Sequence, residues 1–170
     1  MLIVLFGLPG AGKTYAGKIL KDHFGFSFYE GDRNITSLMK QRLKEQKLFT
    51  RPMRKTFFEN LVQTISRKYS DHKKVVISQT FIKEAYRKQF LKHFPNAHFI
   101  LVQTESKLRE KRLRKRKSIN DILFLRKMTR AFEKPDIKHT ILRNNEEGIK
   151  AVKQQLEKLL NKLHQEINET

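Results

Sequence analysis

The chain of 170 residues carries 37 Lys and Arg against 17 Asp and Glu, a formal net charge of +20, with 38% hydrophobic and 10% aromatic residues. With no cysteine it can build no disulfide framework, thiolate metal site or cysteine nucleophile, which suits a reducing cytoplasm. The length predicts one domain over 1–170, no apolar run approaches the roughly 20 residues of a membrane span, and the charge favours polyanions (nucleotides, nucleic acid, anionic lipid) unless it is simply a well-solvated surface.

The opening run Leu2–Phe6, LIVLF, is short, continuous and apolar, as expected of a strand buried on both faces. It is too short for a signal-peptide core. A helix is predicted over 13–23, a second strand over 26–29, and helices over 36–46 and 53–69, with Pro52 suited to a helix start. Strands follow at 75–78 and 98–103. Between them a helix over 83–93 is stopped before Pro95. The strongly basic segment 106–117 and the segment 121–132 read as helices, and 138–142 as a fifth strand. Ile149, Val152, Leu156, Leu159, Leu160 and Leu163 fall on one face of a helix over 146–168. Strands alternating with helices imply a parallel sheet covered on both faces, with right-handed crossovers. The segment 33–69 is the richest insertion, and no linker or repeat interrupts the chain.

Gly7-Leu8-Pro9-Gly10-Ala11-Gly12-Lys13-Thr14 fits the pattern G-x-x-x-x-G-K-[ST]. Its glycines let the backbone turn so that successive N–H groups face phosphates. The following helix adds its N-terminus to the same anion. Lys13 is expected to reach the β- and γ-phosphates of ATP, and the Thr14 hydroxyl to coordinate Mg²⁺. The context agrees, since a strand-like run ends at Gly7 and a helical pattern begins at Lys13. No carboxylate stands at the ends of the third or fourth strands, where a nucleotide hydrolase carries one.

Glu30 and Asp32 lie two apart after the second strand, and in extended chain they would point the same way. Ligands of open α/β sheets bind beyond the carboxyl ends of the strands. Asp32 is therefore the candidate base for an attacking hydroxyl, and Glu30 a candidate Mg²⁺ ligand through water. The alternative is a solvated Gly-Asp turn. The six histidines show no metal-ligand spacing, and no RNP-like aromatic string points to an RNA-binding sheet.

Beyond the loop, four stretches carry a resemblance: Tyr29-Glu30-Gly31-Asp32, Thr80-Phe81-Ile82-Lys83-Glu84-Ala85-Tyr86-Arg87, Arg112-Leu113-Arg114-Lys115-Arg116-Lys117 and Phe132-Glu133-Lys134-Pro135. Over roughly the first 145 residues the chain resembles the small P-loop kinases of metabolites, gluconate kinases most closely and shikimate kinases more distantly. The resemblance implies a three-layer α/β/α sandwich, five parallel strands in the order 2-3-1-4-5, and a mobile helical lid at about 114–121. It places Arg116 against the transferring phosphate with Arg112 in support, a role suited to guanidinium groups. It places Asp32, Arg33, Arg54, Lys83 and Arg87 on the acceptor side, with 33–69 as the substrate-binding insertion. The chain departs from the gluconate kinases in having Glu30 for the first acid of their D-G-D, Arg33 after Asp32, and Ser118-Ile119-Asn120 for their lid G-H-F.

The reading is an ATP-dependent phosphotransferase acting on a hydroxyl of a small, anionic metabolite, as a monomer or homodimer in the cytoplasm. Two alternatives stay open. Gly10 to Thr14, Asp32-Arg33 and the stretch Val76-Ile77-Ser78-Gln79-Thr80 also resemble polynucleotide 5′-hydroxyl kinases, and the basic segment 107–117 suits nucleic acid. A non-catalytic nucleotide-binding module is the third reading.

Overall fold

The structure, a computed structural model, describes residues 1–115 and 122–168. Five strands, β1 (Leu2–Phe6), β2 (Ser27–Glu30), β3 (Val75–Ser78), β4 (Ala97–Gln103) and β5 (His139–Arg143), form one sheet in the order β2-β3-β1-β4-β5. Every pairing is parallel. This is the α/β sandwich and the strand order that the resemblance implies. Between the strands lie α1 (Lys13–Phe24), α2 (Ser37–Lys44), α3 (Arg51–Asp71), α4 (Glu84–His93), α5 (Ser106–Lys115) and α6 (Ile122–Ala131), and α7 (Lys150–Asn168) closes the chain. Among the described residues no helix is long and apolar enough to cross a membrane.

The two-residue period of the strands sorts the core into two halves. Leu2, Val4 and Phe6 point to one side with Val75, Ile77, Phe99 and Leu101, where Phe57, Phe58, Leu61 and Ile65 of α3 and Phe90 of α4 cover them. Ile3 and Leu5 point to the other with Val76, Ile100, Val102 and Leu142, under Ile19 and Leu20 of α1 and Val152, Leu156 and Leu160 of α7. Phe90 is fully buried and meets the rings of Phe81, Phe94 and Phe99 at 5.5, 4.7 and 5.9 Å. Truncating such a ring costs about 3–5 kcal/mol.

Local chemistry sets the helix ends. The Thr36 and Thr50 hydroxyls accept from the Met39 and Met53 amides and start α2 and α3. The Thr50 cap moves the start of α3 ahead of the expected residue 53, with Pro52 in its first turn. Gln46, at φ +57°, lies past the end of α2, which stops at Lys44 rather than 46. The last helix starts at Lys150, not 146, because Gly148 turns at φ +84°. Ile149 consequently falls outside it and is exposed, whereas Val152, Leu156 and Leu160 keep the expected buried face.

Candidate active site at the carboxyl edge of the sheet

The loop after β1 has a backbone that few residues could follow. Gly7 lies at φ +137°, and a Cβ there would sit 2.6 Å from the Val102 carbonyl oxygen. Gly12, at φ +98°, caps α1, and a Cβ there would sit 2.0 Å from Asn144 Nδ2. No side chain caps the start of α1, and its first turn holds no acid. The first-turn amides and the positive end of the helix dipole are thus left for an anion. Lys13 Nζ donates to the Gly7 and Leu8 carbonyls at 2.8 and 3.0 Å, folded along the loop. These features fit a nucleotide triphosphate.

The ends of β4 and β5 strap this loop from behind. The Ala11 carbonyl accepts from Asn144 Nδ2 at 2.9 Å and from the Thr104 hydroxyl at 2.8 Å. Arg112 Nη1 donates to the Thr104 hydroxyl at 3.3 Å, beside the loop. Thr104 and Asn144 escaped the sequence reading. Their only signal was position, since each follows the last residue of a strand.

A cavity of about 380 Å³ opens beside the loop and is lined by Pro9, Gly10, Lys13, Thr14, Glu30 and Asp32, among others. Asp32 does not lie in extended chain as expected. It sits in a 3₁₀ turn over Gly31–Asn34 directly after β2, yet both acids reach the cavity wall. The turn is tied down by a relay: Tyr29 Oη donates to Asn34 Oδ1 at 2.6 Å, and Asn34 Nδ2 donates to the Thr64 hydroxyl of α3 at 3.1 Å. Asp32 opens onto the cavity, but the walls crowd it. That desolvation pushes its carboxyl above its ordinary value, against the Lys13 charge that lowers it and together with Glu30 that raises it. Beside it, Gln79 lines the cavity with a buried Oε1 that has no hydrogen-bond partner among the described residues.

The acceptor-side cations divide. Arg54 lines the cavity, donates through Nη1 to the Phe49 carbonyl, and keeps a buried Nε without a partner among the described residues. Lys83 lines it too, paired with Glu133 at 2.8 Å. Arg33 is exposed and stands outside the lining. Arg87 requires a correction. The sequence places it in the acceptor pocket, but it is fully buried. One turn into α4, it points at the sheet and not past its edge. Its guanidinium donates to the Phe81, Ile82 and Glu133 carbonyls and to the Glu84 carboxylate. The Phe6 and Phe132 rings lie 5.3 and 4.7 Å from it. Four of its five N–H donors are so engaged, and the buried side chain is not part of the cavity lining. Arg116 and most of the expected lid at 114–121 lie outside the described residues.

The family model described as AAA domain matches residues 2–135. No curated protein matches the sequence. Among solved structures, the chain is similar to a gluconokinase from Sinorhizobium meliloti 1021, with TM-score 0.83, 18% identity, and 99% of this chain and 96% of that chain covered. It is similar to a sugar kinase from Janibacter sp. HTCC2649, with TM-score 0.78, 16% identity and 92% of each chain covered. A shikimate kinase from Acinetobacter baumannii in complex with shikimate follows with TM-score 0.63, 19% identity, and 95% of this chain and 93% of that chain covered. At these identities the likeness is one of fold.

Proposed function

The chain belongs to the AAA domain family, and on that premise we propose that it is an ATP-dependent kinase transferring the γ-phosphoryl group to a hydroxyl of a small metabolite. One kinase domain spans 1–170 in this reading, with 33–69 as the acceptor-binding insertion and about 114–121 as the lid. The observation that carries the reading is the shared cavity. Lys13 and Thr14, at the uncapped start of α1, line the same space as Glu30 and Asp32. The fold it shares with a gluconokinase, a sugar kinase and a shikimate kinase supports it.

Bound Mg²⁺-ATP would supply the phosphoryl group and the leaving ADP. The backbone amides of the loop would hold the anionic tail, with Lys13 released from the Gly7 and Leu8 carbonyls to face phosphate oxygens. The Thr14 hydroxyl, and Glu30 through water, would hold Mg²⁺, which would offset the phosphate charge. Asp32 takes the proton from the acceptor hydroxyl as its oxygen bonds to phosphorus and the bond from phosphorus to the bridging oxygen breaks. Arg112, and Arg116 four residues beyond it, are the guanidinium groups offered to the charge that builds up in transfer.

The test is an acceptor screen that follows ADP release and the phosphorylated product. Lys13→Ala should lower transfer by roughly 10²–10³-fold through loss of a preorganised cation. Near-normal turnover in that variant would remove the assignment. ATP binding without turnover on any acceptor would favour the non-catalytic reading.

A further inference from the structure

The cavity beside Lys13 has a mixed lining. Glu30, Asp32, Gln79 and Thr80 supply polar groups to it. Another part, termed the far wall, is built of rings and branched chains: Phe49, Phe57, Phe58, Phe81, Tyr86 and Ile35. Cations on that side are scarce. Arg87 is buried, Arg33 lies outside the lining, and Lys83 is paired with Glu133. Arg54 remains, with one edge already given to the Phe49 carbonyl.

The rings are held in place. Arg42 donates through Nε and Nη2 to the Leu48 carbonyl at 3.0 and 2.9 Å, while Arg54 takes the Phe49 carbonyl next to it. Two guanidinium groups thereby fix the turn that carries the Phe49 ring. Phe81 adopts φ +47°, a left-handed conformation that bulky residues rarely enter. Arg87 Nε holds its carbonyl at 2.9 Å. A non-glycine residue fixed in this region points to a functional constraint. The Phe58 and Tyr86 rings meet with centroids 5.2 Å apart, which closes the wall between α3 and α4.

We infer that the acceptor is a hydroxyl compound with a flat aromatic or heteroaromatic body and at most one anionic group, bound with its ring against the far wall and its hydroxyl at Asp32. The inference rests on the kinase reading above. A linear polyol acid would lay some of its hydroxyls against Phe49, Phe57, Phe58 and Phe81, whose rings carry no hydrogen-bonding group, and each group desolvated without a hydrogen bond opposes binding. A ring loses little by leaving water and gains dispersion contacts along the whole wall. A cavity of about 380 Å³ is within the range of small-molecule sites. Arg54 suits a single carboxylate or phosphate on the ring.

The experiment compares kcat/KM with Mg²⁺-ATP for 3-(hydroxymethyl)benzoate, free nucleosides, gluconate, shikimate and a 5′-hydroxyl oligonucleotide. Saturation-transfer NMR of ring protons, with Mg²⁺-ADP present, reads binding independently of turnover. An aromatic acceptor should exceed gluconate and shikimate by tenfold or more, and the aryl and nucleoside arms separate the two sources of the ring. Phe49→Ala should raise the KM of that acceptor by about tenfold with little change in kcat, and Phe49→Leu should recover part of it. Preference for gluconate, for shikimate or for the oligonucleotide over its free nucleoside overturns the inference. So does the absence of ring binding in a protein that still binds ATP. Failure to bind ATP at all overturns the kinase reading instead.

Discussion

At Asp32, Lys13 and Glu30 pull in opposite directions while the cavity walls hold the carboxyl above its usual 3.8. If Asp32 is the base, activity falls as pH drops through that raised value, and this acid limb should vanish from the profile of Asp32→Asn along with about 10²–10⁴-fold of the rate. ATP affinity, read by calorimetry, should be kept; its loss would make Asp32 a metal ligand. The same shift sets a sign for stability. A folded-state pKa above the unfolded one means that the folded chain holds the proton more tightly. The benefit exists at low pH and disappears as pH rises through the folded value, so the charged carboxylate costs stability at neutral pH. Asp32→Asn should melt above the parent at pH 7 and converge with it in acid, as followed by thermal denaturation. The loop at 7–14 and the acids at 30 and 32 were legible because each is local, with neighbours in sequence serving one ligand. Arg87 was misread because helix phase and not sequence proximity decides where a side chain one turn into α4 points.

The joint between α4 and the segment after α6 is made by ionic and polar contacts at the level of elements. Glu84 accepts from Arg87 and, through Oε1, from the Ile137 amide at 2.9 Å. Glu133 accepts from the Glu84 amide and Lys83, both at 2.8 Å. These contacts hold the Glu133 carboxyl below its ordinary value, the Lys83 hydrogen bond most of all. Glu84→Ala strips a fully buried guanidinium of its carboxylate, a change that costs roughly 3–5 kcal/mol. At about 2–4 °C per kcal/mol for a chain of this size, the melting temperature should fall by roughly 6–20 °C. If Arg87 serves structure and not substrate, the KM for the acceptor, measured well below that transition, stays near the parent value. Strand and helix existence was legible from hydrophobic period. The start of α3 moved with the Thr50 cap, and the ends at α2 and α7 moved with the positive-φ residues Gln46 and Gly148, whose conformation leaves little trace in composition.

Across the whole molecule, the charge of +20 and the cavity beside the loop make separate claims. Polynucleotide bound over the surface through 6–10 phosphates would lose about 10³–10⁵ in affinity between 50 and 200 mM salt. A small acceptor with one anionic group should shift its KM by less than about tenfold over that range, as steady-state assays in graded KCl would show. A steep salt slope in turnover would return the polynucleotide alternative. The amino-acid order alone determined the alternating strands and helices, the glycine loop with Lys13 and Thr14, and the acids at the end of β2, because each depends on residues within a few positions of one another. Folding alone decided that Thr104 and Asn144 brace the loop, that Arg87 is spent inside, and that five aromatic rings from α3, α4 and their flanking turns share one wall. Those arrangements join residues tens of positions apart, and only parallel strand pairing and helix phase bring them within contact distance.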